Sequence, residues 1–381
     1  MSQRRGPALH AVVIAGGAGE RFWPASRRHR PKPFLRVVGG RTLLDATLAR
    51  ARRFARGDRV WIVCGKEHAK AMREESGLPR GRVLVEPERR NTAMAIAWAA
   101  QRIAAEDPDA VMAVLSADHH IPDDKAFAAD IRRAAKAAAE EHVLVTLGVR
   151  PTRPDPGLGY IETGPEVGDA HPGLHRVARF VEKPDRATAR RYVASGKFLW
   201  NAGIFIWRAQ TVLDEIRTCA PDLHRALAPI RKQPRGRNRA AVLATYRRAP
   251  SLPVDVAVME RSERVWTVPV EFEWSDVGTW SSLAERLGVG TPEAAEIAGT
   301  RRSRGPRGDA AGNRVIAGDV VVEDAGGNLV WGGDRLIALL GVEDLAVIDT
   351  DDVILITQLS RSSDVRRIVA GLKRAGRDRL T

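Results

Sequence analysis

The stretch Ala11-Val12-Val13-Ile14-Ala15-Gly16-Gly17-Ala18-Gly19-Glu20-Arg21-Phe22-Trp23-Pro24, followed by Pro31-Lys32-Pro33-Phe34, decides how the rest of the chain is read. The apolar run Ala11–Ala15 predicts a buried first strand. A glycine-rich turn straight after such a strand lets backbone N–H groups approach a phosphate, because glycine has no Cβ in the way. Arg21 and Lys32 add fixed positive charge beside the turn. Two common phosphate loops are excluded. No Lys-Ser or Lys-Thr follows at P-loop spacing, and Phe22 stands where a dinucleotide fingerprint needs its third glycine. The glycines alone favour an ordinary strand-to-helix turn; the two cations shift the reading toward a phosphate.

Outward from that turn, short apolar runs alternate with helical patterns. Strands are expected at Val60–Val63, Val83–Val85, Val111–Leu115 and Val143–Leu147, with helices over Leu43–Phe54, Ala69–Glu75, Thr92–Ala105 and Ala126–Glu141. Such alternation predicts βαβ units and a mostly parallel sheet with helices on both faces. Ligands of these sheets sit at the carboxyl ends of the strands. From about Pro151 to Trp280 strand-like and helical pieces mix. The run Arg301–Asn313 is rich in Arg and Gly and reads as a linker or exposed loop. Five short apolar runs follow, at Val320–Val322, Leu329–Trp331, Leu336–Leu340, Leu345–Ile348 and Val353–Ile356, predicting a small β domain, a meander or a short parallel β-helix. An amphipathic helix at Asp364–Lys373 follows them. The expected organisation is a catalytic domain over 1–290, a linker over 291–313 and a C-terminal β domain over 314–381.

Of the 381 residues, 61 are Lys or Arg and 47 are Asp or Glu, a formal net charge of +14. Nucleic-acid binders concentrate their basic residues and interleave aromatics. Here the arginines are spread along the chain and mixed with acids, so the charge reads as a solvated surface that steers small polyanions. No apolar run reaches the ~20 residues of a membrane span, and the first residues lead into a strand rather than a signal peptide. The two cysteines, Cys64 and Cys219, lie far apart, as fits a reducing, cytoplasmic location.

Further constellations follow predicted strands. Asn91 or Thr92 in Glu86–Ala93 can cap a helix or face a nucleobase. Asp118, after Leu115-Ser116-Ala117, can cap a turn or hold Mg²⁺, which prefers oxygen ligands. Glu182-Lys183-Pro184 is either a surface ion pair or a sugar-phosphate contact. Asn201 is the one polar residue in the apolar run Trp200–Trp207 and must find partners, backbone or sugar. Asp276, among Trp274, Val277, Thr279 and Trp280, is a helix cap or a second metal carboxylate.

The order of these segments separates the alternatives. The GERFWP loop with its later Pro-Lys, RNTA at Asn91, SADH at Asp118, Pro-Thr-Arg-Pro and Gly-Tyr-Ile-Glu within Thr146–Glu162, VEKP at Lys183, WNAGIF at Asn201 and WSDVGTW at Asp276 together resemble the sugar-1-phosphate nucleotidylyltransferases from about His10 to the C-terminal helix. The likeness is greatest to members that join GTP to mannose 1-phosphate. It implies a Rossmann-like α/β fold of the nucleotide-diphospho-sugar transferase type, with a small left-handed β-helix-like C-terminal domain. Arg21 and Lys32 then match residues on the nucleotide phosphates, with Gly16, Gly17, Gly19 and Glu20 in the loop beside them. Asn91 and Thr92 match guanine-side contacts, and Asp118 and Asp276 match the Mg²⁺ ligands. Gly159, Glu182, Lys183 and Asn201 match residues around the sugar phosphate, with Arg21, Lys32 and Lys183 the catalytic cations. Pro33, Met94 and Ser116 depart from the family's commonest residues, but none removes a charge. GTP and mannose 1-phosphate are the implied partners, with neither nucleic acid nor membrane, and a homodimer is left open. A guanylyltransferase for heptose or fucose 1-phosphate would use a similar apparatus; a non-catalytic sugar-nucleotide-binding regulator should have lost Arg21, Lys32, Asp118 or Asp276, and this chain keeps all four. Longer bifunctional relatives continue beyond Arg379 into an isomerase domain with a His-x-His motif; no such motif occurs here, so a single activity is expected.

Overall fold

The structure, a computed structural model, describes residues 7–17, 19–37, 40–232, 239–291 and 307–381. They fall into two compact units. The first takes in the described residues up to Gly16, Thr47–Ala117 and Ile121–Trp274; the second takes in Gly17–Ala46, Asp118–His120 and Ser275–Thr381.

The first unit is built on nine strands: β1 (Leu9–Ala15), β2 (Val60–Gly65), β3 (Val83–Glu86), β4 (Val111–Ser116), β5 (Leu144–Val149), β6 (Tyr160–Glu166), β7 (His175–Val181), β8 (Phe198–Arg208) and β9 (Val265–Val270). They are ordered β3-β2-β1-β4-β8-β5-β9-β7-β6. From β3 to β4 all neighbours run parallel, as the alternating pattern predicts. The sheet as a whole is mixed, because β8 lies antiparallel to both β4 and β5. The helices include α1 (Leu43–Arg52), α2 (Ala69–Ser76), α3 (Asn91–Ala104), α4 (Asp124–Glu141), α5 (Arg186–Ser195) and α6 (Ala209–Cys219), with further ones at Pro221–Ala226, Ala228–Arg231 and Arg239–Arg248. Helix α3 is apolar nearly all round, with Ala93 through Ala100 buried, as expected of a helix inside a core rather than on its surface. Start signals are local. The Asp123 side chain accepts from the N–H groups of Lys125 and Ala126 to open α4, and Asp185 accepts from Thr188 N–H to open α5.

The second unit carries β10 (Arg307–Gly308), β11 (Arg314–Glu323), β12 (Leu329–Leu340), β13 (Leu345–Asp349) and β14 (Ile354–Gln358), in that spatial order. β11, β12 and β13 pair in parallel with no helix between them, so the β-helix alternative holds and the meander falls away. The runs Leu329–Trp331 and Leu336–Leu340, expected as two strands, are the ends of one, β12. Its middle is held by a close backbone crossing: a Cβ at Gly318, where φ is +93°, would lie 2.7 Å from Gly332 Cα. At the turns, Asn328 donates from Nδ2 to Asn313 Oδ1 at 2.8 Å and accepts from Leu345 N at 2.9 Å, which satisfies buried backbone between successive coils. The sequence segment 292–306 lies outside the described residues, so most of the expected linker does too. Phe22, Trp23, Trp280, Leu329, Ile348, Leu355 and Val369 share one buried cluster in this unit.

Candidate active site

The glycine-rich loop opens the second unit. Gly19 holds φ +63°, and a Cβ there would stand 2.6 Å from Ser26 Oγ and 2.7 Å from Lys32 Cβ. Only glycine fits that turn without strain. A Cβ at Gly17 meets open space. Lys32 is buried, 6% exposed, and a buried ammonium needs partners. Its Nζ lies 2.8 Å from Asp118 Oδ2 and donates to the Asp276 carbonyl oxygen at 2.7 Å, above the Phe22 ring. The two aspartates come together because His120 and Ser275 form an antiparallel bridge, N–H to O in both directions at 2.9 and 3.0 Å. The Asp276 carboxylate is aimed by its own turn: Oδ1 accepts from Gly278 N at 3.1 Å, and a Cβ at Gly278 would stand 2.7 Å from Oδ2. Between them, fully buried Val277 sits at φ +43°, a strained backbone for a β-branched residue. Arg21 is exposed and forms no ion pair among the described residues. Glu20 is paired instead with Lys373 of the C-terminal helix at 2.6 Å.

A second constellation belongs to the first unit. Asn201, in the middle of β8, is 7% exposed. Its orientation is unambiguous. Gly203 N–H can only donate, so the atom 3.0 Å away is Oδ1; Nδ2 faces the Asp255 carboxylate at 2.9 Å. Thr146 Oγ1 lies 3.1 Å from the same Oδ1. Glu182 follows β7; its Oε1 is bound by Lys183 Nζ, while Oε2 would be 2.7 Å from a Cβ at Gly159. Gly159 therefore leaves room beside Glu182 and Asn201, and its carbonyl accepts from Asn201 N at 2.8 Å. Lys183 holds φ +48° and its side chain is 61% exposed. Burial and the neighbouring Glu182 charge push the Asp255 carboxyl up to about 6, against the opposing pull of Lys183 and Asn201.

Sequence reasoning passed over two carboxylates. One is Asp255, at the start of the π-turn Asp255–Met259. The other is Glu86 at the end of β3, 6% exposed, with Oε1 accepting from Tyr246 OH at 3.1 Å and Oε2 3.6 Å from where a Gly16 Cβ would be. Burial pushes Glu86 up to about 7, although Tyr246 and Arg89 oppose the shift. A signal was present, since Glu86 ends an apolar strand beside the Asn91-Thr92 segment. Asn91 is exposed and Thr92 partly buried, and the side chains of both accept from backbone N–H groups. Asn91 Oδ1 accepts from Thr92 N at 2.9 Å, and Thr92 Oγ1 accepts from Val254 N at 2.9 Å. Thr92 thus ties the start of α3 to the segment that carries Asp255.

A glycine-rich turn after β1, carboxylates just beyond β4 and β9, and a lysine beside each set of acids are the arrangement expected of a nucleotidyl transferase. Residues 10–287 match the nucleotidyl transferase family, and residues 318–372 match the mannose-phosphate isomerase/GMP-like β-helix domain. The chain belongs to the nucleotidyl transferases and, within them, to the group of the mannose-1-phosphate guanylyltransferases. It is 36% identical over 371 residues to the mannose-1-phosphate guanylyltransferase of Escherichia coli, covering 96% of this chain and 74% of that protein. Its identity to the alginate biosynthesis protein AlgA of Pseudomonas aeruginosa is likewise 36% over 371 residues, covering 96% of this chain and 72% of that protein. A Thermus thermophilus protein, crystallised as a mannose-1-phosphate geranyltransferase, superposes with a TM-score of 0.82 at 33% identity, covering 96% of this chain and 99% of that one. Among the described residues no helix is long and apolar enough to cross a membrane.

Proposed function

We propose that the protein joins GTP and α-D-mannose 1-phosphate to give GDP-mannose and diphosphate. A phosphate oxygen of the sugar phosphate attacks the α-phosphorus of GTP in line. The new P–O bond forms as the bond to the β-phosphate oxygen breaks, and diphosphate carries away the electron pair. The attacking oxygen is already anionic, so the protein needs no general base. Its work is to bring two polyanions together and to balance charge at the α-phosphoryl and the leaving group.

The observation that carries this reading is Lys32, buried and shared by Asp118 and the Asp276 main chain. A cation is already stable at that place, and the two carboxylates are hard oxygen donors of the kind that hold Mg²⁺ together with substrate phosphates. Asp118 and Asp276 would hold the ion, which supplies charge neutralisation for the phosphates when bound. Lys32 orients the Asp118 carboxylate and holds the Asp276 main chain, and exposed Arg21 is free to meet the triphosphate, with Gly16, Gly17 and Gly19 giving the backbone close approach. On the sugar side, Lys183 neutralises the sugar phosphate, and Glu182 and Asn201 take sugar hydroxyls beside Gly159. The Glu86 carboxyl, with Oε2 open toward Gly16, complements the N1–H and 2-amino donors of guanine, which adenine lacks. Asn91 and Thr92 shape that place through the backbone they hold. Diphosphate release, measured across GTP and ATP against mannose, glucose, fucose and heptose 1-phosphates, tests the assignment. GTP with mannose 1-phosphate should be the fastest pair; a faster second sugar would reassign the substrate.

A further inference from the structure

Asn201 is held from both ends. Gly203 N–H fixes Oδ1, and Asp255 Oδ1 accepts one of the two Nδ2 hydrogens at 2.9 Å. The other Nδ2–H is unspent among the described residues. Both groups flank the bare Cα of Gly159: a Cβ there would stand 3.5 Å from Asn201 Nδ2 and 2.7 Å from Glu182 Oε2. A donor and an acceptor therefore border the space over that Cα, the pair that a single hydroxyl lying against both satisfies in full. Neither side chain reaches that arrangement by itself. Lys183 engages Glu182 at Oε1 and leaves Oε2 toward the space, while Asp255 draws one arm of the Asn201 amide away and sets the plane of the other.

We propose that Asp255 is a positioning residue for sugar binding: it locks the Asn201 amide so that Nδ2–H and Glu182 Oε2 together grip one sugar hydroxyl beside Gly159. The inference rests on the sugar-phosphate substrate proposed above. Asp255 touches no substrate itself and acts through Asn201. The charged groups around it are Glu182 and Lys183, with Glu260 close by through its hydrogen bond from Glu182 N at 2.8 Å. Ionised Asp255 makes a charge-assisted bond to Nδ2, stronger than the bond a neutral acceptor makes. Its carboxyl changes charge at about pH 6, so the grip tightens above that pH.

The test is steady-state kinetics of the full chain with GTP and mannose 1-phosphate. Asp255→Ala should raise KM for the sugar phosphate by about 10- to 100-fold, with the KM for GTP changing less than about 2-fold. Asp255→Asn keeps a neutral acceptor. Its sugar-phosphate KM should exceed that of the unmodified protein by about 3- to 10-fold near pH 7.5 and converge on it near pH 5, where Asp255 too is neutral. Taking the ratio of the two proteins cancels the substrate's own ionisation. An unchanged sugar-phosphate KM in Asp255→Ala, an equal rise for both substrates, or an Asp255→Asn ratio constant across that range would each overturn the proposal. If Asp255→Ala does not fold, as its melting curve will show, the Asp255→Asn ratio decides alone. Lack of turnover by the unmodified protein would instead strike the substrate assignment, so the two failures are distinguishable.

Discussion

Each constellation contains a lysine, and the two lysines are opposites. Lys32 is buried, pinned between Asp118 and the Asp276 carbonyl, and set in a loop that only glycine permits. Lys183 is mostly exposed and, among the described residues, paired only with its neighbour Glu182. A buried, doubly bound ammonium is part of the scaffold: it fixes the Asp118 carboxylate and the Asp276 main chain before any substrate arrives, and removing it leaves Asp118 uncompensated. An exposed lysine contributes little to stability and is free to turn onto an incoming phosphate. The first arrangement is preorganised charge; the second is charge held in reserve. Substitutions should separate the two in the ratio of stability lost to activity lost.

The largest effect is expected at the fixed cluster. Asp276→Asn or Asp118→Asn should lower kcat by about 10³-fold. Asp118→Asn should also destabilise the protein by about 1–3 kcal/mol, because Lys32 keeps a single strong partner; denaturant midpoints read this directly. Next comes the turn that aims Asp276. Gly278→Ala places a methyl 2.7 Å from where Oδ2 now is, and should cost about 10- to 100-fold in kcat with little change in either KM. Lys183→Ala should come third, raising the sugar-phosphate KM about 10-fold while shifting the melting midpoint hardly at all. If Lys183→Ala destabilises as much as Asp118→Asn, the contrast between fixed and reserve charge is broken.

The smallest effect is one of pH. Glu86 moves from an ordinary 4.5 to about 7 on folding. A carboxyl whose folded pKa is raised binds its proton more tightly in the folded chain. The protonated form favours folding below pH 4.5, and that advantage is lost as pH rises through 7. Glu86→Gln should therefore be more stable than the unmodified protein above pH 7 by about 1–3 kcal/mol and equal to it below pH 4.5. The same variant should lose preference for GTP over ATP. Equal stability gaps at both pH extremes would show that the carboxyl is not buried as described.

Much of this was legible in the sequence, for physical reasons. Strands β1 to β5 appear as apolar runs because both faces of the sheet are covered, and the helices between them stand out by length and composition, α3 as an almost wholly apolar one. Lys32 and Asp118 were readable as candidates, Lys32 as fixed charge beside the glycine-rich turn and Asp118 as a carboxylate just beyond a strand. Their direct ion pair was not, because it joins residues 32 and 118 through the fold. Asp255 lies in Val254-Asp255-Val256, a segment with no pattern of its own, and its importance appears only in a hydrogen bond to a residue 54 positions away. Glu20 shows the reverse. It sits in the most suggestive loop of the chain and is engaged by Lys373, 353 positions away. The apolar runs of β12 read as two strands because glycine interrupts the pattern without interrupting the extended backbone.

The central claim is nucleotidyl transfer rather than nucleotide hydrolysis or simple binding. Phosphorus NMR of the protein with GTP, mannose 1-phosphate and Mg²⁺ tests it most directly. The account predicts paired diphosphate resonances of GDP-mannose growing in equal amounts with free diphosphate, as GTP and sugar phosphate fall together. Release of inorganic phosphate with accumulation of GDP, or an unchanged spectrum, would contradict it.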